Sequence, residues 1–142
     1  MHYSRMGLWD KSYQDKQPRQ VYDDPASAKI AGVFLNQEEI ATVEDLGCGH
    51  GGFIKYMGEK QNYIEIDGSK SLYASIMADL EHYTSSVDAI HIRHILEHNP
   101  KWISILQNSL ISFNKRMILT LFTPYQKQTR IIARYPNLTI LA

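Results

Sequence analysis

A run of glycines, Gly47-Cys48-Gly49-His50-Gly51-Gly52, is the feature that most constrains what this chain can fold into. The residues before it, 42–46, have the character of a short strand, and residues 53–59 continue with apolar side chains at helical spacing. Glycine lacks a Cβ, so the backbone here can turn sharply and approach a ligand closely. A strand, a glycine loop and a helix whose free N–H groups point at the loop predict a ligand site at this turn.

Strand-like and helix-like stretches alternate along the rest of the chain. Strands are predicted at residues 42–46, 63–66, 76–77, 87–92, 117–122 and 138–141, and helices at residues 24–36, 53–59, 100–113 and 127–133. The strand at 117–122 is apolar enough to be buried on both faces. This alternation predicts an α/β fold, a Rossmann-like three-layer sandwich around a mostly parallel sheet with right-handed crossovers.

The length of 142 residues predicts a single domain, residues 1–142. Residues 1–23 are polar and aromatic without a clean period, so we expect an irregular lead-in or lid before a core at residues 24–142. The net charge is zero, which gives no reason to expect a nucleic-acid partner. A single cysteine, Cys48, fits a reducing compartment, and no apolar run is long enough for a signal peptide or a membrane span. We therefore expect a cytoplasmic protein.

The glycine loop alone does not identify a cofactor. Gly47, Gly49 and Gly52 satisfy the G-x-G-x-x-G pattern, and Asp67 lies twenty residues after Gly47, where the ribose-binding acid of a dinucleotide site belongs. An NAD-binding oxidoreductase domain therefore stays open as an alternative. Asp45, two residues before the first glycine, differs from the apolar residue normal in a dinucleotide loop.

Three segments in order resemble the class I S-adenosylmethionine-dependent methyltransferases. They are the glycine loop preceded by Asp45, the segment Ile66-Asp67-Gly68-Ser69, and the segment 88–98, which ends in Leu96-Glu97-His98. The resemblance covers about residues 43–124. It implies a methyltransferase with S-adenosylmethionine as cofactor, in which a small-molecule acceptor attacks the sulfonium methyl group in line.

The resemblance also implies roles for particular residues. Asp45 would help to hold the methionine ammonium, Asp67 the ribose hydroxyls, and Asp79 and Leu80 the adenine. The full set of implied cofactor-binding residues is Asp45, Gly47, Cys48, Gly49, Gly51, Asp67, Gly68, Asp79, Leu80, Arg93 and His94.

His94 follows the fourth strand and is the candidate general base, because an imidazole titrates near neutral pH. Tyr13, Tyr22 and Phe122 are the candidate acceptor-binding residues. No metal site is expected, since the spacing of the histidines matches no recognised zinc arrangement.

The chain is shorter than the pattern it resembles. Only twenty residues follow Phe122, so we expect about five or six strands rather than the usual seven. The third strand comes after an abbreviated crossover and is expected to be stunted or displaced. An uncovered sheet edge would result, which favours pairing with a second copy as a homodimer. The same shortness keeps a second alternative open, a module that binds S-adenosylmethionine or S-adenosylhomocysteine without turnover.

Overall fold

Five parallel strands form the central sheet, in the order β3-β2-β1-β4-β5. They are β1 (Thr42–Leu46), β2 (Asn62–Asp67), β3 (Ile76–Met77), β4 (Val87–Arg93) and β5 (Phe113–Thr120). The structure is a computed structural model that describes residues 6–13, 18–21, 24–124, 126–135 and 138–141. The expected parallel sheet is confirmed, and β3 is indeed only two residues long.

The described residues contain three α-helices. These are α1 (Asp10–Tyr13), α2 (Pro25–Leu35) and α3 (Trp102–Ser112). The helix α2 begins where the sequence predicts, because the Asp24 carboxylate accepts hydrogen bonds from the backbone N–H groups of Ala26 and Ser27 and Pro25 occupies the first turn. None of the helices in the described ranges is long and apolar enough to cross a membrane.

The two faces of the sheet are covered by different elements. On one face, the buried residues Ala28, Ala31 and Leu35 of α2 pack with Val43 and with Phe53. The other face carries a second core, in which the buried residues are Leu46, Ile66, Val87, Ile90 and Ile92. On that side α3 is tied to the chain after β3, where the Asn108 side-chain amide donates to the Glu81 carbonyl at 2.9 Å. The chain thus has the three layers expected of a Rossmann-like fold.

The order of the strands places a crevice beside β1. The chain runs outward from β1 to β2 and β3, then crosses back to lay β4 against the other side of β1. In an open parallel sheet, this reversal leaves a crevice at the carboxyl ends of the strands, where ligands bind. The glycine loop leaves β1 at that end of the sheet.

The prediction of an α-helix over residues 53–59 is wrong. The segment forms a 3-10 helix, Gly52–Tyr56, that ends at Met57. The Asn36 side chain stops it, because its amide donates to the Tyr56 carbonyl at 2.6 Å and accepts from the Gly58 N–H at 2.7 Å. The element that follows the glycine loop is therefore a 3-10 helix of five residues, where the sequence predicts a helix of seven.

The prediction that residues 117–122 form a strand buried on both faces is also wrong. The strand β5 runs from Phe113 to Thr120 and lies at the edge of the sheet, with its residues half-buried or exposed. Leu121 and Phe122 follow the strand and are 47% and 41% exposed. An apolar run indicates burial only where another strand or a helix lies beyond it, and within the described residues no strand pairs with the outer edge of β5.

Residues 127–133 do not form the expected helix. Residues 127–130 are irregular, and β6 (Ile131–Tyr135) pairs antiparallel with β7 (Leu138–Leu141) in a separate two-stranded sheet. The β-branched pair Ile131-Ile132 suits a strand better than a helix. The expected last strand at 138–141 is confirmed. The main sheet thus has five strands, as the sequence predicts, and the last two strands form a hairpin apart from it.

We predict that Gly32→Ala destabilises the protein, although alanine is normally favoured over glycine in a helix. A Cβ at position 32 would lie 2.5 Å from the Tyr56 carbonyl oxygen and 2.8 Å from the Tyr56 Cβ, so α2 and the 3-10 helix would have to separate. We expect a loss of about 1–3 kcal/mol in the free energy of unfolding, measured by urea denaturation. Val33→Ala, at a neighbouring position that is 66% exposed, should change it by less than about 0.5 kcal/mol. A gain of about 0.5–1 kcal/mol for Gly32→Ala would show that the two elements are not in close contact.

Candidate functional site

A cavity of about 530 Å³ opens at the carboxyl ends of the central strands. Its walls come from the glycine loop, the ends of β2 and β4, the turn after β4, the chain after β3 and residues 6–13. Twelve of the residues that the sequence predicts for the site line it: Tyr13, Asp45, Gly47, Cys48, Gly49, Asp67, Gly68, Asp79, Leu80, Arg93, His94 and Phe122.

Of the predicted residues that the structure describes, one is not part of this wall. Gly51 is not among the lining residues, and its carbonyl accepts a hydrogen bond from the Arg19 guanidinium at 2.8 Å. Tyr22 lies outside the described residues. The structure therefore gathers most of the predicted site around one cavity.

The glycine loop is shaped by backbone hydrogen bonds to the end of β2. The N–H groups of Gly47 and Cys48 both donate to the Ile66 carbonyl, at 2.8 and 3.0 Å. Gly47 and Gly49 have φ angles of 80° and 54°, in the left-handed region that favours glycine. The glycine run is therefore needed for the path of the backbone as well as for the close approach of a ligand. Burial raises the pKa of the Cys48 thiol, so this side chain is a poor nucleophile.

Asp67 joins the glycine loop to the turn after β2. Its buried carboxylate accepts from the backbone N–H of Gly49 at 2.9 Å and from that of Ser69 at 2.8 Å. Burial raises the pKa of this carboxyl above its ordinary value, and the hydrogen bonds from the backbone oppose the shift. Each oxygen of an ionised carboxylate keeps a further lone pair, so Asp67 can also accept from hydroxyl groups of a ligand.

Asp45 is buried in the sheet between two partners that the sequence analysis does not identify. The Tyr63 hydroxyl donates to Oδ2 at 2.5 Å, and Nδ1 of His91 lies 2.7 Å from Oδ1. The His91 ring stacks on Phe53, with centroids 3.6 Å apart and the planes 8° from parallel. Asp45 and His91 pair directly in the register of β1 and β4, and neither strand alone shows this pairing.

His94 leaves β4 in a strained conformation at the cavity. Its φ is 56°, in the left-handed region that only glycine occupies freely, and its N–H donates to the Thr120 carbonyl at 2.9 Å. Its Nδ1 lies 3.3 Å from Nη1 of Arg93, and its ring contacts the Phe122 ring edge-on at 5.1 Å between centroids. Strain of this kind is often retained at functional sites.

Glu97, within the Leu96–His98 3-10 turn, connects the turn after β4 to the loop after β5. Its Oε1 accepts from the Phe122 N–H at 2.6 Å, although the side chain is almost completely buried. Burial raises the pKa of this carboxyl. Sequence analysis quotes Glu97 only as part of a motif, whereas the structure indicates that it fixes the loop after β5 against the turn after β4.

Residues 6–13 and 18–21, which we call the strap, contribute several side chains to the wall of the cavity. The Gly7 N–H donates to the Gly68 carbonyl at 2.7 Å, and the Trp9 N–H donates to the Ser69 hydroxyl at 3.0 Å. Further along, the Arg19 guanidinium forms a two-pronged ion pair with Glu65. The described segments of the strap are thus bonded to the glycine loop, to β2 and to the turn after β2.

The fold is shared with methyltransferases of known structure. No protein-family model matches the sequence, and no curated protein matches it. Among solved structures, the magnesium protoporphyrin IX methyltransferase (ChlM) from Synechocystis PCC 6803 with bound SAM matches with a TM-score of 0.60 and 17% sequence identity, over 94% of this chain and 87% of that chain. This chain therefore has the Rossmann-like fold of class I methyltransferases.

Two further structures match at similar levels. The mitomycin 7-O-methyltransferase MmcR has a TM-score of 0.54 at 14% identity, over 66% of this chain and 34% of that one. The coclaurine N-methyltransferase (CNMT) bound to N-methylheliamine and SAH has a TM-score of 0.52 at 16% identity, over 80% of this chain and 42% of that one. The chain also spans only 41% of the plantazolicin methyltransferase BpumL. The chain thus spans less than half the length of several of the proteins it matches.

We predict that Glu97→Gln flattens the pH dependence of stability. The pKa of Glu97 is raised in the folded state, so its contribution to stability is fully present below the ordinary value of 4.5 and is lost as pH rises through the folded-state pKa. Glutamine keeps an oxygen for the Phe122 N–H but does not titrate. Urea denaturation from about pH 4 to about pH 7 should therefore show the variant gaining stability relative to the wild type as pH rises. Parallel curves for the two proteins would show that Glu97 is not buried as described.

Proposed function

We propose that this chain binds S-adenosylmethionine and transfers its methyl group to a small-molecule acceptor. The observation that carries the proposal is the single cavity at the reversal point of the sheet. There the acid before the glycine loop, the loop itself and the acid at the end of β2 face one space. The fold shared with methyltransferase structures supports it.

The residues of the cavity fit this ligand. A Cβ built on Gly49 would meet only the Tyr13 side chain, at 3.4 Å, so the space over the loop is open to a ligand. Asp67 keeps acceptor capacity for the two hydroxyls of a ribose. Asp79 and Leu80 line the cavity beyond β2, on the side where an adenine would follow the ribose.

The charge of the cavity favours a cationic ligand over a dinucleotide. Asp45, Asp67, Asp79 and Glu81 are among its described lining residues, against one arginine, Arg93. S-adenosylmethionine carries a sulfonium and an ammonium, whereas NAD would bring a pyrophosphate into this acidic space. The five-residue 3-10 helix after the loop also offers little of the helix dipole that stabilises a pyrophosphate.

The chemistry requires alignment more than covalent assistance. When bound, S-adenosylmethionine would supply an electrophilic methyl carbon. The acceptor's oxygen, nitrogen, sulfur or carbon would bond to it in line as the methyl–sulfur bond breaks and the sulfur leaves as a neutral thioether. The chain's part is to hold donor and acceptor together and to exclude water. The strap forms part of the cavity wall, and Tyr13 and Phe122 are proposed to contact the acceptor.

His94 is proposed to contact the acceptor's reacting atom. Arginine only donates hydrogen bonds, so the Arg93 contact makes Nδ1 of His94 an acceptor and leaves the ring hydrogen on Nε2. Nε2–H can orient the lone pair of the attacking atom. The sequence makes His94 the candidate general base. In that role Nε2 would carry the lone pair and Nδ1 the hydrogen, which would then point at the donating Arg93 guanidinium.

The remaining proposals concern the whole protein. We propose a single-domain cytoplasmic protein, on its size and its one cysteine. We also propose a homodimer, because the outer edge of β5 has no strand partner within the described residues.

We predict that the protein binds S-adenosylmethionine and S-adenosylhomocysteine in calorimetric titrations and does not bind NAD. Asp67→Asn should weaken binding of S-adenosylhomocysteine by about tenfold or more, because it replaces a charged acceptor for the ribose. Asp88→Asn is the matched control. Asp88 accepts from the Ala41 N–H at 2.7 Å and pairs with Lys115 at 3.1 Å at the opposite end of the sheet. It should leave affinity within about twofold.

The outcomes separate the candidate functions. Binding of NAD alone would contradict the proposal. Tight binding of S-adenosylhomocysteine, with no transfer of labelled methyl to any small-molecule extract fraction, would identify a binding module instead of an enzyme. An Asp67→Asn protein that loses heat stability but keeps its affinity would make Asp67 a structural turn residue only.

We predict that His94→Gln slows methyl transfer by about tenfold in kcat, measured with the extract fraction that accepts label, while the affinity for S-adenosylhomocysteine is unchanged. Glutamine keeps a hydrogen-bond donor but not the imidazole geometry. A loss of about 10²–10⁴-fold, together with loss of the acid limb of the pH–rate profile, would show that His94 is a general base after all.

A further inference from the structure

One nitrogen of the buried His91 imidazole has no hydrogen-bond partner among the described residues. His91 is 1% exposed, and its Nδ1 is engaged by Asp45 at 2.7 Å. Its Nε2 has no hydrogen-bond partner in the described part of the chain, and His91 is among the residues that line the cavity. A buried polar atom without a partner is costly, so it indicates a place where a ligand group completes the hydrogen bonding.

The neighbours of Asp45 determine what this nitrogen can do. An ionised carboxylate only accepts, so both the Tyr63 hydroxyl and Nδ1 of His91 must donate to it. In the neutral imidazole the lone pair is then on Nε2. The stacked Phe53 ring holds the imidazole plane at this angle. His91 therefore presents a fixed acceptor, polarised by a carboxylate behind it.

The same contacts limit what Asp45 does directly. The carboxylate is 3% exposed, and each oxygen already receives one short hydrogen bond from a side chain. Its negative charge can act on a ligand through the imidazole without either bond breaking. Asp45 is thus a positioning residue for His91.

The place of His91 in the sheet selects the group it meets. Asp67 ends β2 and Asp79 follows β3, so the proposed ribose and adenine contacts lie on one side of β1. His91 belongs to β4, on the other side. Of the donor's hydrogen-bond-donating groups, only the ammonium of its amino-acid end is left for this side.

We propose that Nε2 of His91 accepts a hydrogen bond from the α-ammonium of the bound methyl donor, with the Asp45 charge acting through the ring. The assignment rests on the proposed function and adds to it the residue that selects the amino-acid end of the ligand. It makes the amino group a determinant of affinity, and His91 the residue responsible.

The experiment measures the coupling between His91 and that amino group. S-adenosylhomocysteine, its analogue lacking the α-amino group and its analogue lacking the carboxyl group are titrated calorimetrically into the wild type, His91→Leu and Tyr63→Phe. Tyr63→Phe is the matched control, because it removes the other hydrogen bond to the same carboxylate and leaves Nε2 in place.

We expect removal of the amino group to weaken binding about tenfold or more in the wild type and in Tyr63→Phe, and hardly at all in His91→Leu. If the amino group matters equally in all three proteins, His91 does not contact it. If His91→Leu instead abolishes the effect of removing the ligand's carboxyl group, Nε2 donates to that carboxylate and the assignment is overturned. Failure of the wild type to bind S-adenosylhomocysteine at all would refute the proposed function rather than this contact.

A second measurement covers the case in which His91→Leu does not fold. In wild-type protein labelled with ¹⁵N-histidine, we expect the unprotonated Nε2 resonance of His91 to shift when S-adenosylhomocysteine is added and to stay in place with the analogue lacking the amino group. A resonance that responds equally to both compounds would overturn the proposal.

Discussion

The buried carboxylate of Asp45 is the interaction on which the centre of this structure depends. It lies in the middle strand and is bonded from both sides, by Tyr63 of β2 and by His91 of β4. A carboxylate deprived of water destabilises a fold unless hydrogen bonds replace its hydration. Here those bonds join three strands at the point where the sheet reverses direction. The same atoms therefore stabilise the sheet and create the polar floor of the cavity.

The parts of the fold that follow from local chemistry could be predicted from sequence. Asp24-Pro25 predicts the start of α2, and short strand-like stretches predict β1, β2 and β4. The misassigned elements depend on distant contacts. The 3-10 helix ends early because Asn36, twenty residues away, caps it. The strand β5 is partly exposed because no described strand pairs with its outer edge. No pattern confined to either segment carries that information.

The candidate site divides in a similar way. The glycine loop and Asp67 could be found because each belongs to a short motif of consecutive residues. Tyr63 and His91 could not, since their roles arise only when three strands are placed in register and a polar side chain meets the one across from it. Glu97 was visible as a motif, but its link to Phe122 required the loop after β5 to be in place. Side chains that position other side chains are thus the hardest to identify from sequence.

The strap has a consequence for the order in which the molecule assembles. Gly7 and Trp9 bond to Gly68 and Ser69, about sixty positions further along the chain. Contacts across such a separation close a long loop, and the entropy lost in closing it is recovered only when the far partner is already structured. During synthesis, residues 6–13 must therefore wait until β2 and its turn have emerged and folded. The part of the cavity wall formed by residues 6–13 is therefore synthesised before the turn that holds it, and it gains these hydrogen bonds only after that turn has formed.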